Sequence, residues 1–316
     1  MNVAAALQAI AGVLPRTPVL RSEVLDNLAG ARLWFKAEGL QITGSFKVRG
    51  AWNRVRSFTP EELTPGLITV SAGNAALGAA WAARAAGARL VVVMPENAVP
   101  EKLIAVAAMG ARIEKEGVTN ATQAFERLAR LRAEHGYTLV HPFDDPFVIA
   151  GAATATWELL EEVPDLDAVV VPTSGGGLFA GAILAARTAT VHGIQPFGAD
   201  GLIRSLAAGE PTPPERVQTV ADGLTAPKPG VLNFKIIREA VEQGRADTST
   251  VSDEAILEAM GLIIRHLRVI VEPAAAAGLA GVLAGVLVND RFRGKKVGVV
   301  LSGSNAGMER VRSVLA

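Results

Sequence analysis

The sequence contains no cysteine, so the protein forms no disulfide bond, no thiolate nucleophile and no metal site with cysteine ligands. Disulfides mark proteins of oxidising compartments, and nothing in this composition points to such a compartment. We therefore expect a cytoplasmic protein that is held together by its hydrophobic core.

An excess of charge of either sign is also missing. Lysine plus arginine equals aspartate plus glutamate at 31 each, which removes the broad positive surface of a nucleic-acid binder. No basic residue precedes the N-terminal apolar stretch, so we expect no signal peptide. The most apolar segment, residues 274–288, is shorter than the ~20 residues that span a bilayer and is predicted to be a buried helix. These absences leave a small molecule as the expected partner, with neither nucleic acid nor a membrane.

The pattern that is present indicates an α/β fold. Short β-branched runs alternate with longer alanine-rich stretches at helical spacing, as in parallel sheets covered by helices. The predicted strands are residues 33–36, 67–70, 90–94, 111–114, 138–140, 168–172, 194–199 and 296–301. The predicted helices include residues 75–86, 121–134, 147–161, 178–187 and 253–267, the last with Ser252 as its N-cap. Residues 209–214 and 225–230, rich in proline and glycine, are predicted to be surface loops.

One lysine follows a Gly-Ser turn, in the segment Gly44-Ser45-Phe46-Lys47, and begins a predicted helix. Because the positive end of the helix dipole disfavours an ammonium, this position favours a neutral amine, which Schiff-base formation requires. The alternative is an ordinary surface lysine at a helix start, and the motif alone favours that alternative.

Three further segments follow predicted strands and precede helices, a position where α/β proteins bind ligands. Ser71-Ala72-Gly73-Asn74-Ala75 offers backbone N–H groups to a carboxylate, and a plain helix cap is an equal alternative. Ser174-Gly175-Gly176-Gly177-Leu178 is suited to wrap an anion, and a flexible turn is the weaker alternative. The third segment is Leu301-Ser302-Gly303-Ser304-Asn305. None matches Gly-x-Gly-x-x-Gly or a Walker loop, which argues against a dinucleotide enzyme.

Taken in this order, the segments resemble the fold-type II pyridoxal-phosphate (PLP) enzymes, in the branch of the serine/threonine dehydratases and serine racemases. The resemblance begins near residue 16 and includes residues 141–146, Ala221-Asp222-Gly223 and Val271-Glu272-Pro273. It implies two open, twisted α/β domains with parallel sheets, as in enzymes of the tryptophan synthase β type. It also implies pyridoxal 5′-phosphate as cofactor and an amino acid as substrate, and we further expect a homodimer.

The resemblance also implies roles for individual residues. Lys47 is the expected Schiff-base lysine and catalytic residue, with Phe46 beside the cofactor ring. The expected partner of the 3′-oxygen is Asn74, that of the ring nitrogen is Ser302, and Glu272 lies nearby or is a buried structural carboxylate. The residues expected to hold the phosphate are Ser174, Gly175, Gly176, Gly177 and Leu178. Those expected to hold the substrate carboxylate are Ser71, Ala72, Gly73, Asn74 and Ala75.

Two departures from the family pattern bear on the reaction. Many members have a second serine where this chain has Ala72, and in racemases that serine protonates the face opposite the lysine. The resemblance therefore favours elimination over racemisation. The loop after Asp200 is short at the place where metal-binding members begin a cation site, so we expect no metal.

The sequence thus predicts an ammonia-lyase that converts L-threonine, L-serine or a related β-hydroxy amino acid to an α-keto acid and ammonia. The alternatives are an amino-acid racemase, a dehydratase for a bulkier substrate such as phenylserine or hydroxyaspartate, and a PLP-binding protein without catalysis. Residues 1–50 and 142–316 are predicted to form a large cofactor-binding domain. Residues 51–141 are predicted to form a small mobile domain that carries the segment from Ser71 to Ala75.

Overall fold

The chain folds into two sheets with helices packed against them, and the computed structural model describes residues 1–96, 98 and 100–316. The strands are β1 (Val19–Leu20), β2 (Arg32–Ala37), β3 (Leu67–Val70), β4 (Leu90–Val93), β5 (Arg112–Glu114), β6 (Thr138–Leu139), β7 (Ala168–Pro172), β8 (Thr190–Pro196), β9 (Ala246–Val251) and β10 (Lys296–Leu301). The helices are α1 (Val3–Ile10), α2 (Glu23–Ala29), α3 (Lys47–Val55), α4 (Pro60–Leu63), α5 (Asn74–Ala85), α6 (Pro100–Ala108), α7 (Ala121–His135), α8 (Pro146–Glu162), α9 (Gly177–Ala185), α10 (Gly201–Ala208), α11 (Val231–Glu242), α12 (Asp253–Leu267), α13 (Pro273–Asn289) and α14 (Met308–Ser313).

The larger sheet has the strand order β1-β2-β10-β7-β8-β9, and the smaller sheet has the order β5-β4-β3-β6. In the described part of the chain every strand pair is parallel except β1 with β2. Strand β7 is buried along its whole length, as expected of a parallel strand with helices on both faces. The predicted α/β fold with parallel sheets is confirmed, and β1 adds an antiparallel edge strand that the sequence did not indicate.

Most of the predicted elements are present, with small shifts at their ends. Ser252 caps α12 as predicted, because its side chain accepts a hydrogen bond from the N–H of Ala255 at 3.2 Å. Strand β8 was predicted too late in the chain, since residues 197–199 form a 3₁₀ turn instead of its end. Strand β9 was missed because its Ala-Asp-Thr-Ser-Thr-Val sequence is largely polar, which a strand at a sheet edge tolerates.

Helix α13 contains the apolar segment that was predicted to be a buried helix. Residues 274–280 are all buried, and the helix packs against β7 and α12. No helix within the described ranges is long and apolar enough to cross a membrane.

Helix α3 is held between α5 and α8 by backbone contacts that only glycine permits. A Cβ on Gly151 of α8 would lie 2.5 Å from the carbonyl oxygen of Arg49, and one on Gly78 of α5 would lie 3.0 Å from the carbonyl carbon of Lys47. A Cβ at Gly151 is excluded at that distance and one at Gly78 would force its neighbour to shift, so the three helices approach each other backbone to backbone. The first turn of α3, which begins at Lys47, is therefore fixed in position.

Candidate active site

All of the predicted site residues line one cavity of about 570 Å³. Strands β2, β10 and β7 are neighbours in the larger sheet, so the segments that follow their carboxyl ends lie side by side. The segment after β3, from the smaller sheet, lines the same cavity. The cavity lining therefore includes Phe46, Lys47, Ser71, Ala72, Gly73, Asn74, Ala75, Ser174, Gly175, Gly176, Gly177, Leu178, Glu272 and Ser302.

Lys47 is the first residue of α3 and extends its amine into this cavity region. The Nζ donates a hydrogen bond to the carbonyl oxygen of Pro142 at 2.9 Å. Desolvation lowers the pKa of Lys47 to about 8, although the charge of Glu272 opposes this shift. The helix start predicted the same direction, and the structure identifies burial as the main cause.

The acceptor of this hydrogen bond, Pro142, belongs to a turn that His141 holds in place. The Nδ1 of His141 accepts a hydrogen bond from the N–H of Asp144 at 2.8 Å, and desolvation lowers the pKa of the imidazole. The neutral ring therefore keeps a lone pair for the backbone. The Asp144 carboxylate in turn accepts from the N–H of Val231 at the start of α11, at 3.0 Å. Sequence reasoning assigned no role to this turn, which positions the acceptor of Lys47.

Residues 174–178 lead from β7 into the N-terminus of α9. A Cβ on Gly175 would lie 2.8 Å from the ring of Phe143, and one on Gly177 would lie 3.0 Å from the carbonyl oxygen of Phe143. Gly176 has a φ of +90°, which favours glycine. Packing and conformation thus fix the three glycines, in contrast to a flexible turn. The first N–H groups of a helix lack partners within it, and such groups bind anions.

The side chain of Asn74 is held from both ends. Its Nδ2 donates to Oε1 of Glu272 at 2.7 Å, and its Oδ1 accepts from Nδ2 of Asn305 at 2.7 Å. Glu272 is 3% exposed, and desolvation raises its pKa to about 7 even though the hydrogen bond from Asn74 opposes the shift. The Glu272 carboxyl therefore exchanges its proton near neutral pH. Sequence reasoning missed these contacts, because Asn74 and Glu272 are 198 residues apart in the chain.

Ser302 directly follows β10 and is 5% exposed. Its carbonyl oxygen accepts a hydrogen bond from the N–H of Phe46 at 3.1 Å, which ties the segment before Lys47 to β10. Ser302 lines the same cavity as Phe46.

Residues 225–230 were predicted to be a surface loop, and this prediction is wrong in part. Residues 225–227 line the cavity, and the N–H of Ala226 donates to the Oγ of Ser174 at 2.9 Å. The proline and glycine content indicates an irregular segment but carries no information on what the segment covers.

Two charged residues of the lining, Lys102 and Asp222, were not assigned a role from the sequence. Lys102 is in the first turn of α6, which follows β4, and β4 pairs with β3. Because β3 and β4 are neighbours, Lys102 lies at the same sheet edge as Ser71. The sequence alone did not show that these strands are neighbours, so it could not indicate Lys102. In the part of the chain that is described, no group of three or more histidine, aspartate and glutamate residues could hold a metal ion.

Lys47, the glycine-lined N-terminus of α9 and the segment from Ser71 to Ala75 line one cavity, and the chain that carries them matches a known family. A family model described as pyridoxal-phosphate dependent enzyme matches residues 10–303. The chain belongs to this family. Membership confirms three predictions: the resemblance to this family, the fold type, and pyridoxal 5′-phosphate as the cofactor.

Relatives of this family member cover nearly the whole chain. It is 39% identical to the L-threo-3-hydroxyaspartate ammonia-lyase of Saccharomyces cerevisiae, over 95% of this chain and 91% of that protein. It is 37% identical to the serine racemase of Dictyostelium discoideum, over 95% of this chain and 92% of that protein. Among solved structures it superimposes on the threonine deaminase of T.th. with a TM-score of 0.87 and 40% identity, over 96% of this chain and 97% of the other.

The cavity has the properties that this cofactor requires. Its volume of about 570 Å³ lies within the ~300–1,000 Å³ typical of small-molecule sites. A lysine amine with a lowered pKa lies within it, and the closely packed glycines at the start of α9 leave space that a side chain would fill. The residues present therefore fit a phosphorylated aldehyde.

The lowered pKa of Lys47 predicts how cofactor capture depends on pH. We expect the rate at which the cofactor-free protein captures pyridoxal 5′-phosphate to rise with pH and to be half-maximal near pH 8, because only the neutral amine adds to an aldehyde. Stopped-flow absorbance over a pH series measures this rate, with free Nα-acetyl-lysine as the reference. A midpoint near 10.5, the ordinary pKa of a lysine, would contradict the assignment of a desolvated amine.

Proposed function

We propose that this enzyme is an ammonia-lyase that eliminates water from a β-hydroxy amino acid, such as L-serine or L-threonine, and yields an α-keto acid and ammonia. The observation that supports it is that two residues line the same cavity: Lys47, which can serve as a base for the Cα proton, and Ala72, whose side chain has no acidic group. By their names, the relatives act on 3-hydroxyaspartate, threonine and serine, all of which carry a β-hydroxyl.

The residues of the cavity divide the work of this reaction. When bound, the cofactor withdraws electrons from the Cα of the substrate and so weakens the bonds to that carbon. Lys47 would carry the cofactor, and its Nζ, once released by substrate, would take the Cα proton, which its pKa of about 8 permits near neutral pH. The N–H groups of the segment from Ser71 to Ala75 would hold the substrate carboxylate.

The remaining residues would hold and tune the cofactor. Residues 174–178 would bind its phosphate, and Phe46 would pack beside its ring. Asn74, fixed by Glu272 and Asn305, would direct its amide to the 3′-oxygen. The neutral hydroxyl of Ser302 would share a hydrogen bond with the ring nitrogen without protonating it, which favours elimination over transamination.

Position 72 gives the test that separates a lyase from a racemase. Racemisation needs a proton donor on each face of Cα, and alanine at position 72 supplies none opposite Lys47. With L-serine and L-threonine we expect keto acid to accumulate and little inverted amino acid to form, as measured by chiral chromatography. The variant Ala72→Ser is expected to raise inversion relative to elimination, whereas the neighbouring conservative variant Ala76→Ser, on the buried side of α5, should leave the ratio unchanged. Inversion by the native protein that outpaces keto acid formation would mean that another residue supplies the second proton.

We also propose that residues 51–141 act as the smaller, substrate-binding unit over the cofactor-binding part, residues 1–50 and 142–316. Support comes from the sheets, since β3, β4, β5 and β6 lie within 51–141 and the other strands lie outside it. A homodimer and a cytoplasmic location stay predictions from the sequence.

A further inference from the structure

Lys102 lines the cavity but has no role in the elimination proposed above. Of the described residues that line the cavity, Lys47 and Lys102 are the cationic ones. Lys47 is committed to the cofactor and to the Cα proton. Lys102 is therefore the remaining cationic residue of the described lining.

The location of Lys102 is next to the loop proposed to hold the substrate carboxylate. Strands β3 and β4 are parallel neighbours, so the segments after them leave the sheet at the same edge. A Cβ built on Gly73 would lie 3.8 Å from the Nζ of Lys102. The ammonium therefore lies within the reach of a small substrate that is anchored at this loop.

Asp222 is the ion-pair partner of Lys102 at the cavity. The two side chains form a salt bridge that joins residues 120 positions apart, and both line the cavity. The Asp222 side chain is 56% exposed, and an ion pair of this kind stabilises a fold by no more than about 1 kcal/mol. An ammonium has three N–H donors, so this pair leaves donors of Lys102 for a further acceptor.

A substrate with one carboxylate does not need a contact with the Lys102 ammonium. A substrate with two carboxylates needs a cation for the second one. Burying a carboxylate without a partner is costly, and an ion pair with the Lys102 ammonium would offset that cost. We propose that Lys102 selects β-hydroxy amino acids of the 3-hydroxyaspartate class, which carry a second carboxylate on Cβ. This inference rests on the proposed elimination. Asp222 positions the ammonium that receives this carboxylate.

The reaction of such a substrate balances without any further reactant. The Cα–H and Cβ–OH bonds of 3-hydroxyaspartate break, water leaves, and the resulting enamine takes up water to give oxaloacetate and ammonia. The second carboxylate is unchanged throughout, so Lys102 is a substrate-binding residue that contributes to specificity.

Keto acid formation from L-threo-3-hydroxyaspartate and from L-serine tests this proposal in the holoenzyme. We expect Lys102→Met to lower kcat/KM for 3-hydroxyaspartate by about 10- to 100-fold, mainly through KM, because a hydrogen bond between charged groups is lost. The same variant should change kcat/KM for L-serine by less than about threefold, since serine has no second carboxylate. Lys102→Arg should keep most of the preference, and Lys228→Met, an exposed lysine outside the cavity lining, is the matched control. Equal losses for both substrates, or no loss for 3-hydroxyaspartate, would overturn the proposal.

Binding of inert ligands separates this inference from the proposed function. Succinate and butyrate have the same number of carbons but two and one carboxylates, and neither has an amine or a β-hydroxyl. By isothermal titration calorimetry we expect the native holoenzyme to bind succinate more tightly than butyrate, and Lys102→Met to lose that difference. If no β-hydroxy amino acid yields keto acid, the proposed function fails, while this comparison still decides the role of Lys102. Equal affinities for the two acids in the native protein would refute it.

Discussion

Replacement of Lys47 by alanine is expected to lower kcat for keto acid formation by at least about 10³-fold. The variant loses the amine that would carry the cofactor and the base that would take the Cα proton, and positioned proton transfer alone contributes about 10²- to 10⁴-fold. Lys47→Arg should be as inactive, because a guanidinium remains charged and cannot serve as a nucleophile or a base. Steady-state assays with L-serine, L-threonine and 3-hydroxyaspartate measure the loss.

Chemical labelling shows whether Lys47 itself attaches the cofactor. Borohydride reduction of the holoenzyme followed by peptide mapping should place the label on Lys47 and on no other lysine. The matched control is Lys295→Ala, an exposed lysine that does not line the cavity, which should keep both label and activity. Label on a different lysine, or its retention in Lys47→Ala, contradicts the proposed attachment.

The largest expected effect on stability comes from Arg49, which lies two residues after Lys47 and is fully buried. Its guanidinium bonds to both oxygens of Glu38 and both oxygens of Glu158, at 2.7–2.8 Å. Lys36 adds a second cation to Glu158 at 2.7 Å. Desolvation opposes ionisation of Glu158, but the hydrogen bond and charge of Arg49 outweigh it and lower the pKa of this carboxyl. The cluster is thus neutral as a whole, with both carboxylates paired.

Arg49→Met is therefore expected to lower the free energy of unfolding by about 3–5 kcal/mol, because it removes the cation in direct contact with the buried Glu38 carboxylate. Urea unfolding of the purified protein measures this change. The double variant Arg49→Met/Glu38→Gln removes the unpaired charge and should recover part of the loss. Arg204→Met is the exposed control: its salt bridge with Asp200 is on the surface, and the expected cost is below about 1 kcal/mol. A cost for Arg49→Met as small as that of Arg204→Met would show that the cluster contributes little.

The individual motifs differed in how far they predicted the site. The glycines at 175–177 predicted an anion-binding turn, and the structure explains them by contacts with Phe143 and by the φ of Gly176. For Lys47 the motif alone favoured a surface lysine, and only the ordered set of segments indicated a cofactor lysine. Arg49 follows Lys47 by two residues, but no local pattern indicated that it forms a buried ion cluster. Its partner Glu158 is 109 residues away.

By itself the sequence determined the properties that belong to short segments: most of the strands, several of the helices, the α/β class and the glycine-containing loops that follow strands. Hydrophobic period, capping side chains and glycine content act over a few residues, so a local pattern reports them. The tertiary structure alone decided that β2, β10 and β7 are neighbours and that the segment after β3 faces them. It also decided the contacts of Asn74 with Glu272 and of Lys102 with Asp222. These depend on how whole surfaces of helices and sheets fit together, and that fit is set by long-range packing rather than by neighbours in the chain.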